Sequence, residues 1–116
     1  MQLPPDVERK ALELAGAATA HPSEREFMAD VLAFARGLGY LAYHTHDSRK
    51  SAPGFPDAVL SRGRTLIVAE FKVGANRLTA EQADWLERFR AAGVRAFEWR
   101  PEDWPEIERV LRGGTT

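Results

Sequence analysis

The sequence predicts an α/β domain: a mixed four-stranded sheet flanked by helices, with an extra N-terminal helix. A three-stranded meander is followed by a crossover strand parallel to the third. Three observations predict this. Stretches of helical spacing and short β-branched or aromatic runs follow one another in the order α-α-β-β-β-α-β-α. Only Arg62-Gly63-Arg64 separates the second strand from the third, so that return is antiparallel. A whole helix separates the third strand from the fourth, and such a crossover makes them parallel, with a right-handed connection.

The elements read as follows. Pro4-Pro5 opens a stretch with Val7, Ala11, Leu14, Ala15 and Ala18 at helical spacing, ending before His21-Pro22. Ser23-Glu24-Arg25-Glu26 is a capping box, with Ser23 at the N-cap and Glu26 at N3. The helix behind it puts Phe27, Met28, Val31, Leu32, Ala35 and Leu38 on one face and stops at Gly37 and Gly39. Residues 40–44 form a strand, 45–53 a polar loop, 57–61 a second strand and 65–73 a third. The third is apolar without interruption from Leu66 to Ala69, as a central strand covered on both faces would be. Thr79-Ala80-Glu81-Gln82 is another capping box, leading a helix with Ala83, Leu86, Phe89 and Arg90 that Gly93 ends. Residues 94–99 alternate as the fourth strand. Asp103-Trp104-Pro105-Glu106 reads as a third cap, and Ile107, Val110 and Leu111 give the last helix its apolar face.

The 116 residues suit one domain, divided here into an N-terminal helical extension over 1–22 and a main domain over 23–116. With 44% hydrophobic and 28% charged residues the composition is that of a globular chain with a real core. The absence of cysteine excludes disulfides and thiolate metal sites and suits a reducing compartment. No run of about 18 apolar residues suggests a membrane span, and the first residues lack the pattern of a signal peptide. Taken alone, the net charge of −1 argues against nucleic acid as partner, since such binders usually carry a basic excess. The distribution is uneven, however. From His44 to Arg77 there are six basic residues (Arg49, Lys50, Arg62, Arg64, Lys72, Arg77) and three acids (Asp47, Asp57, Glu70). A locally positive site on a near-neutral body still captures phosphates.

The chemistry gathers around Asp57, Glu70 and Lys72. Glu70 and Lys72 are two apart on one strand, so both side chains leave the same face and Phe71 points the other way. Asp57 begins the neighbouring strand, and the turn at Gly63 brings it alongside Glu70. Two carboxylates can hold a magnesium-like ion, which takes oxygen ligands and keeps several waters. Such an ion activates water and receives developing charge, as phosphodiester hydrolysis requires. Lys72 can orient that water or stabilise charge on the phosphate, and it is one of only three lysines beside 13 arginines. Glu24, in the first turn of its helix on the face of Phe27, Met28 and Val31, is preferred to Glu26 as the further acid, because Glu26 is engaged by its capping box. The end of the first strand and the polar loop after it offer His44, His46, Ser48, Arg49, Lys50 and Ser51 as nucleic-acid contacts, with Arg77 beyond the third strand. Gln82 is a supporting residue whose place the capping box already explains. Trp85, Trp99 and Trp104 read as packing residues.

Gly54-Phe55-Pro56-Asp57, then twelve residues, then Glu70-Phe71-Lys72, resembles the motif of the PD-(D/E)xK nuclease superfamily. Together with Ser23-Glu24, the string from His44 to Ser51, Thr79-x-x-Gln82 and Trp99-Arg100-Pro101-Glu102-Asp103-Trp104, it resembles the VRR-Nuc (virus-type replication-repair nuclease) family over roughly Ser23 to Leu111. The resemblance implies a restriction-endonuclease-like core and dependence on Mg²⁺ or Mn²⁺, with no organic cofactor. It implies Asp57, Glu70, Glu24 and the backbone carbonyl of Phe71 as metal ligands, and Lys72 as a catalytic residue. It further implies a DNA endonuclease of the Holliday junction resolvase kind, of stand-alone phage or bacterial type, acting in DNA repair as a homodimer in the cytoplasm of a bacterial cell or phage-infected host. Met28 stands where such proteins often carry Gln. Two other readings use the same residues: a non-cleaving module that binds DNA structures, and an RNase. The complete acid-lysine set favours cleavage over binding alone, and nothing in the sequence separates DNA from RNA.

Overall fold

The computed structural model describes residues 22–46 and 50–114. The helix expected over 4–20 lies outside the described residues. The rest follows the expected order: α1 (Glu24–Gly37), β1 (Leu41–His44), β2 (Ala58–Arg62), β3 (Thr65–Phe71), α2 (Ala80–Ala91), β4 (Arg95–Trp99), a 3₁₀ turn at Pro101–Asp103, and α3 (Trp104–Leu111).

The sheet order is β1-β2-β3-β4. The first two pairings are antiparallel, and β3 runs parallel to β4. β3 is therefore interior, which explains why its last five residues are all buried. Residues of alternate parity face opposite layers. Ala58, Leu60, Ile67, Ala69, Phe71 and Trp99 join α1 and α3 in the main core, with Phe27, Val31, Ile107 and Leu111. Val68 and Ala96 meet Leu86 of α2 in a smaller core on the other face. The result is three layers, with α1 and α3 against one side of the sheet and α2 against the other.

Each helix starts for a local reason. The Ser23 hydroxyl accepts from the Glu26 N–H at 3.0 Å, and the Glu26 carboxylate accepts from the Ser23 N–H at 2.9 Å. Two N–H groups left over at the helix end are thereby satisfied, and the Ser23 N–H, with the Ser23 side chain, holds the Glu26 carboxyl below its usual range. α2 starts the same way on Thr79 and Gln82.

Two expectations need correction. Asp103 does precede α3, but its side chain does not cap that helix. It turns back and accepts the Arg100 N–H at 2.9 Å, because the chain leaving β4 has its own unpaired donor there. Phe34, absent from the apolar face read from the periodicity, is buried edge-on against Trp104, 5.3 Å between ring centres. α3 packs where a helix with one apolar stripe would meet solvent. Among the described residues no helix is long and apolar enough to cross a membrane.

Candidate active site

Glu70 and Lys72 emerge on the α2 side of the sheet, with Phe71 buried on the other side against Phe27 and Trp99. Both charged residues are buried, at 2% and 7% exposure. The Lys72 ammonium lies 3.7 Å from Oε2 of Glu70. Asp57 precedes Ala58, which pairs with Ala69, so Asp57 stands opposite Glu70 across the β2–β3 ladder. Its Oδ2 accepts from the Phe71 N–H at 2.9 Å. A strand residue that exchanges ladder bonds sends its N–H and C=O to the same edge. The Phe71 carbonyl therefore opens towards Asp57 as well.

The surroundings of Glu70 have the chemistry to hold a cation. Oε2 accepts from the Gln82 side-chain amide at 3.1 Å. Oε1 is buried with no hydrogen-bond partner among the described residues. Burial and the neighbouring Asp57 charge push the Glu70 carboxyl up to about 8, against the opposing pull of Lys72. An unpartnered carboxylate oxygen beside a second carboxylate is costly unless a cation or a proton resolves it. The donors are all oxygen, which fits a hard divalent ion such as Mg²⁺ or Mn²⁺. Among the described residues no group of three His, Cys, Asp or Glu side chains surrounds one point. Two carboxylates and a backbone carbonyl, completed by water, suit magnesium, which dehydrates reluctantly.

Local structure holds these groups in place. Thr45 grips the approach to Asp57 twice: its N–H donates to Asp57 O at 2.9 Å and its hydroxyl to Pro56 O at 3.2 Å. Gly54 (φ +84°) lies so close to α2 that a Cβ there would come within 2.5 Å of the Glu81 backbone and 2.7 Å of the Gln82 nitrogen. The Trp85 indole donates to Pro53 O at 3.0 Å, and Phe55 packs edge-on against Trp85 and Phe89. The loop carrying Asp57 and the helix carrying Gln82 are thus pressed into one unit.

The other expected residues fall in three places. Glu24 stands on α1, across the sheet, and its carboxylate accepts from the Asn76 side chain at 2.8 Å. It reaches the β3–α2 connection over the end of the sheet and joins Asp57 and Glu70 in no three-acid cluster among the described residues. His44 and His46, ring centres 4.2 Å apart, line a groove of about 350 Å³ together with Arg25, Met28, Leu32 and Arg36. The two arginines were missed from sequence, although a spacing of 11 puts them on one helix face. Lys50 and Arg77 are exposed and Ser51 is half-buried. Ser48 and Arg49 lie outside the described residues. Trp99 and Trp104 are buried packing residues, as expected.

No curated protein matches the chain. A solved structure of Hjc from Archaeoglobus fulgidus, a Holliday junction resolvase from an archaeal hyperthermophile, is similar, with 28% identity and a TM-score of 0.52. The similarity covers 65% of this chain and 64% of that one. The model of the VRR-NUC domain family matches residues 6–101, beginning inside the N-terminal segment and running past the last strand. That match takes in Asp57, the β3 triplet and the capping box of α2 alike, and on its extent the chain belongs to the VRR-NUC domain family.

Proposed function

We propose that this domain is a divalent-metal-dependent endonuclease that hydrolyses phosphodiester bonds of branched DNA, in the manner of a Holliday junction resolvase. One observation carries the reading: the buried, unpartnered Oε1 of Glu70 beside Asp57, with the Lys72 ammonium on the same face. Asp57, Glu70 and the Phe71 carbonyl would hold Mg²⁺ or Mn²⁺. When bound, the ion supplies Lewis acidity and a water deprotonated near neutral pH.

The chain's own groups do the rest. Glu70, buried beside the half-buried Asp57, would be held ionised once a cation offsets the repulsion between the two carboxylates. Gln82 donates to Oε2 of Glu70, leaving Oε1 for the cation. Lys72 stands where it can orient the attacking water and balance charge growing on the phosphate. Glu24 acts through water from the other side of the sheet. The groove holding Arg25, Arg36, His44 and His46 offers the backbone of the nucleic acid a cationic path, with Lys50, Ser51, Arg77 and the Ser48–Arg49 segment as further contacts. Cutting both strands of a junction calls for two such sites, hence a homodimer, which light scattering would register. The similarity to Hjc, a junction resolvase, favours this over an RNase or a module that binds without cutting.

The test is cleavage of a labelled panel (four-way junction, flap, duplex, single strand, matched RNA) with Mg²⁺, Mn²⁺ or EDTA. We expect metal-dependent paired nicks in the junction. Lys72→Ala and Asp57→Asn should each lower the rate by about 10²-fold or more while the proteins stay folded. Wild-type rates in folded variants would overturn the mechanism. Tight junction binding with no cleavage and no metal uptake by calorimetry would favour the binding module.

A further inference from the structure

The string from Trp99 to Trp104 has no role in the mechanism above, and the register of the sheet supplies one. Glu70 pairs with Glu98 and Phe71 with Trp99 across the parallel β3–β4 ladder. The last rung is closed by the Lys72 N–H, which donates to Trp99 O at 3.0 Å, so the register carries Lys72 alongside Arg100. Paired residues share a face. Glu70-Phe71-Lys72 and Glu98-Trp99-Arg100 therefore lie side by side, acid by acid, aromatic by aromatic and cation by cation.

The two triplets differ in what the cation does. Among the described residues the ion partner of Lys72 is Glu70, at 3.7 Å. Arg100 makes three hydrogen bonds through its two terminal nitrogens. One guanidinium nitrogen donates to Gly74 O at 2.9 Å, and the other donates to Glu98 Oε2 at 2.9 Å and to Asn76 O. A planar fork can satisfy a carboxylate and two carbonyls at once; an ammonium on a flexible stem has no such fixed geometry. The turn it grips follows Lys72 directly, closes on itself through Asn76 N–H to Val73 O at 3.2 Å, and carries the amide that holds Glu24. Arg100 also neutralises Glu98, whose backbone lies one strand spacing, about 4.8 Å, from that of Glu70 and whose side chain leaves the same face.

We propose that Arg100 is a positioning residue of the active site: by spanning Glu98 and the Gly74 and Asn76 carbonyls it fixes the turn that delivers Asn76 to Glu24. It rests on the nuclease reading for its effect on rate, but not for its effect on the turn. The experiment compares wild type, Arg100→Lys, Asn76→Ala and the double variant. Amide hydrogen exchange over 74–78, Mn²⁺ affinity by calorimetry, and kcat and KM on a four-way junction are read for each. Arg100→Lys keeps the charge and loses the fork. It should speed exchange at 74–78 by about tenfold with α3 unchanged, weaken Mn²⁺ binding, and lower kcat by about tenfold at unchanged KM. The double variant should lose no more than the worse single one, because both cut the same link. Unchanged exchange at 74–78 overturns the proposal, as do additive losses. So does a fall in kcat reproduced by Val110→Ala, a core variant remote from the turn, at matched Tm. If wild type cuts nothing with any metal, the nuclease reading fails on its own, and exchange and Mn²⁺ affinity still decide whether Arg100 holds the turn.

Discussion

The two capping boxes of this domain are built alike and used differently. At the start of α1, Ser23 and Glu26 exchange hydrogen bonds of 3.0 and 2.9 Å and reach nothing else in the site. At the start of α2, Thr79 and Gln82 exchange bonds of 3.1 and 2.9 Å, and the same Gln82 amide then donates to Glu70 at 3.1 Å. One atom type makes the difference. A glutamate at N3 has only acceptors, whereas a glutamine accepts from the N-cap backbone with its oxygen and still has an N–H₂ to give. Because the box fixes which end is oxygen, it also fixes where the donor points. The second box is thus a structural motif that also orients the Glu70 carboxylate.

The comparison breaks most sharply at Gln82→Glu. The box survives, but a donor becomes a third carboxylate against Glu70, and cleavage should fall by about 10²-fold or more with little change in Tm. Steady-state kinetics beside a melting curve checks this, and unchanged kcat would mean the amide is only a cap.

A second effect, of intermediate size, is on pH. The folded-state pKa of Glu70, about 8, lies above its ordinary value of 4.5. The folded protein therefore holds a proton that the unfolded chain releases. Stability is complete below about 4.5 and is lost as pH rises through about 8. The metal-free Tm should fall across that window, Glu70→Gln should flatten the fall, and Mg²⁺ at pH 8 should restore it by displacing the proton. A metal-free Tm that rises between pH 5 and 8 would contradict the sign.

The smallest effects belong to the first box. Ser23→Ala should cost about 1 kcal/mol of stability by denaturant melts and leave kcat and KM within about twofold, in contrast to the α2 box. Glu26→Gln should change neither rate nor Tm appreciably. A large rate loss from either would place the first box in the site as well.

Much of this was legible in the residues, and the limits of what was legible have physical causes. The β3 triplet, the Gly63 return and both boxes are local signals, set by spacings of two to four residues. The alternation of Phe71 against Glu70 and Lys72 could be read because period two leaves no choice of face. Long-range contacts could not be read. Nothing near Gly54 says that α2 will lie where its Cβ would be, and nothing near Phe34 says that Trp104 will cover it. Asp103 was misjudged because two backbone donors compete for one carboxylate, and the Arg100 N–H wins. Glu98 and Arg100 stood in plain view, but their place beside Glu70 and Lys72 depends on the β3–β4 register, which spacing alone does not give.

One bond has a bearing on how such a site is to be dissected. Where β2 gives way to the loop, the Asp57 carboxylate takes the Phe71 N–H that a strand backbone would otherwise receive. The acid is the last rung of the ladder as well as a proposed ligand. Truncating it to alanine would unpair a buried backbone donor and fray the strand end that carries Lys72, so the loss would mix architecture with chemistry. Asparagine keeps an oxygen for the rung and removes the charge. Asp57→Asn and Asp57→Ala form a matched pair, and the gap between them measures how much of this aspartate serves as backbone.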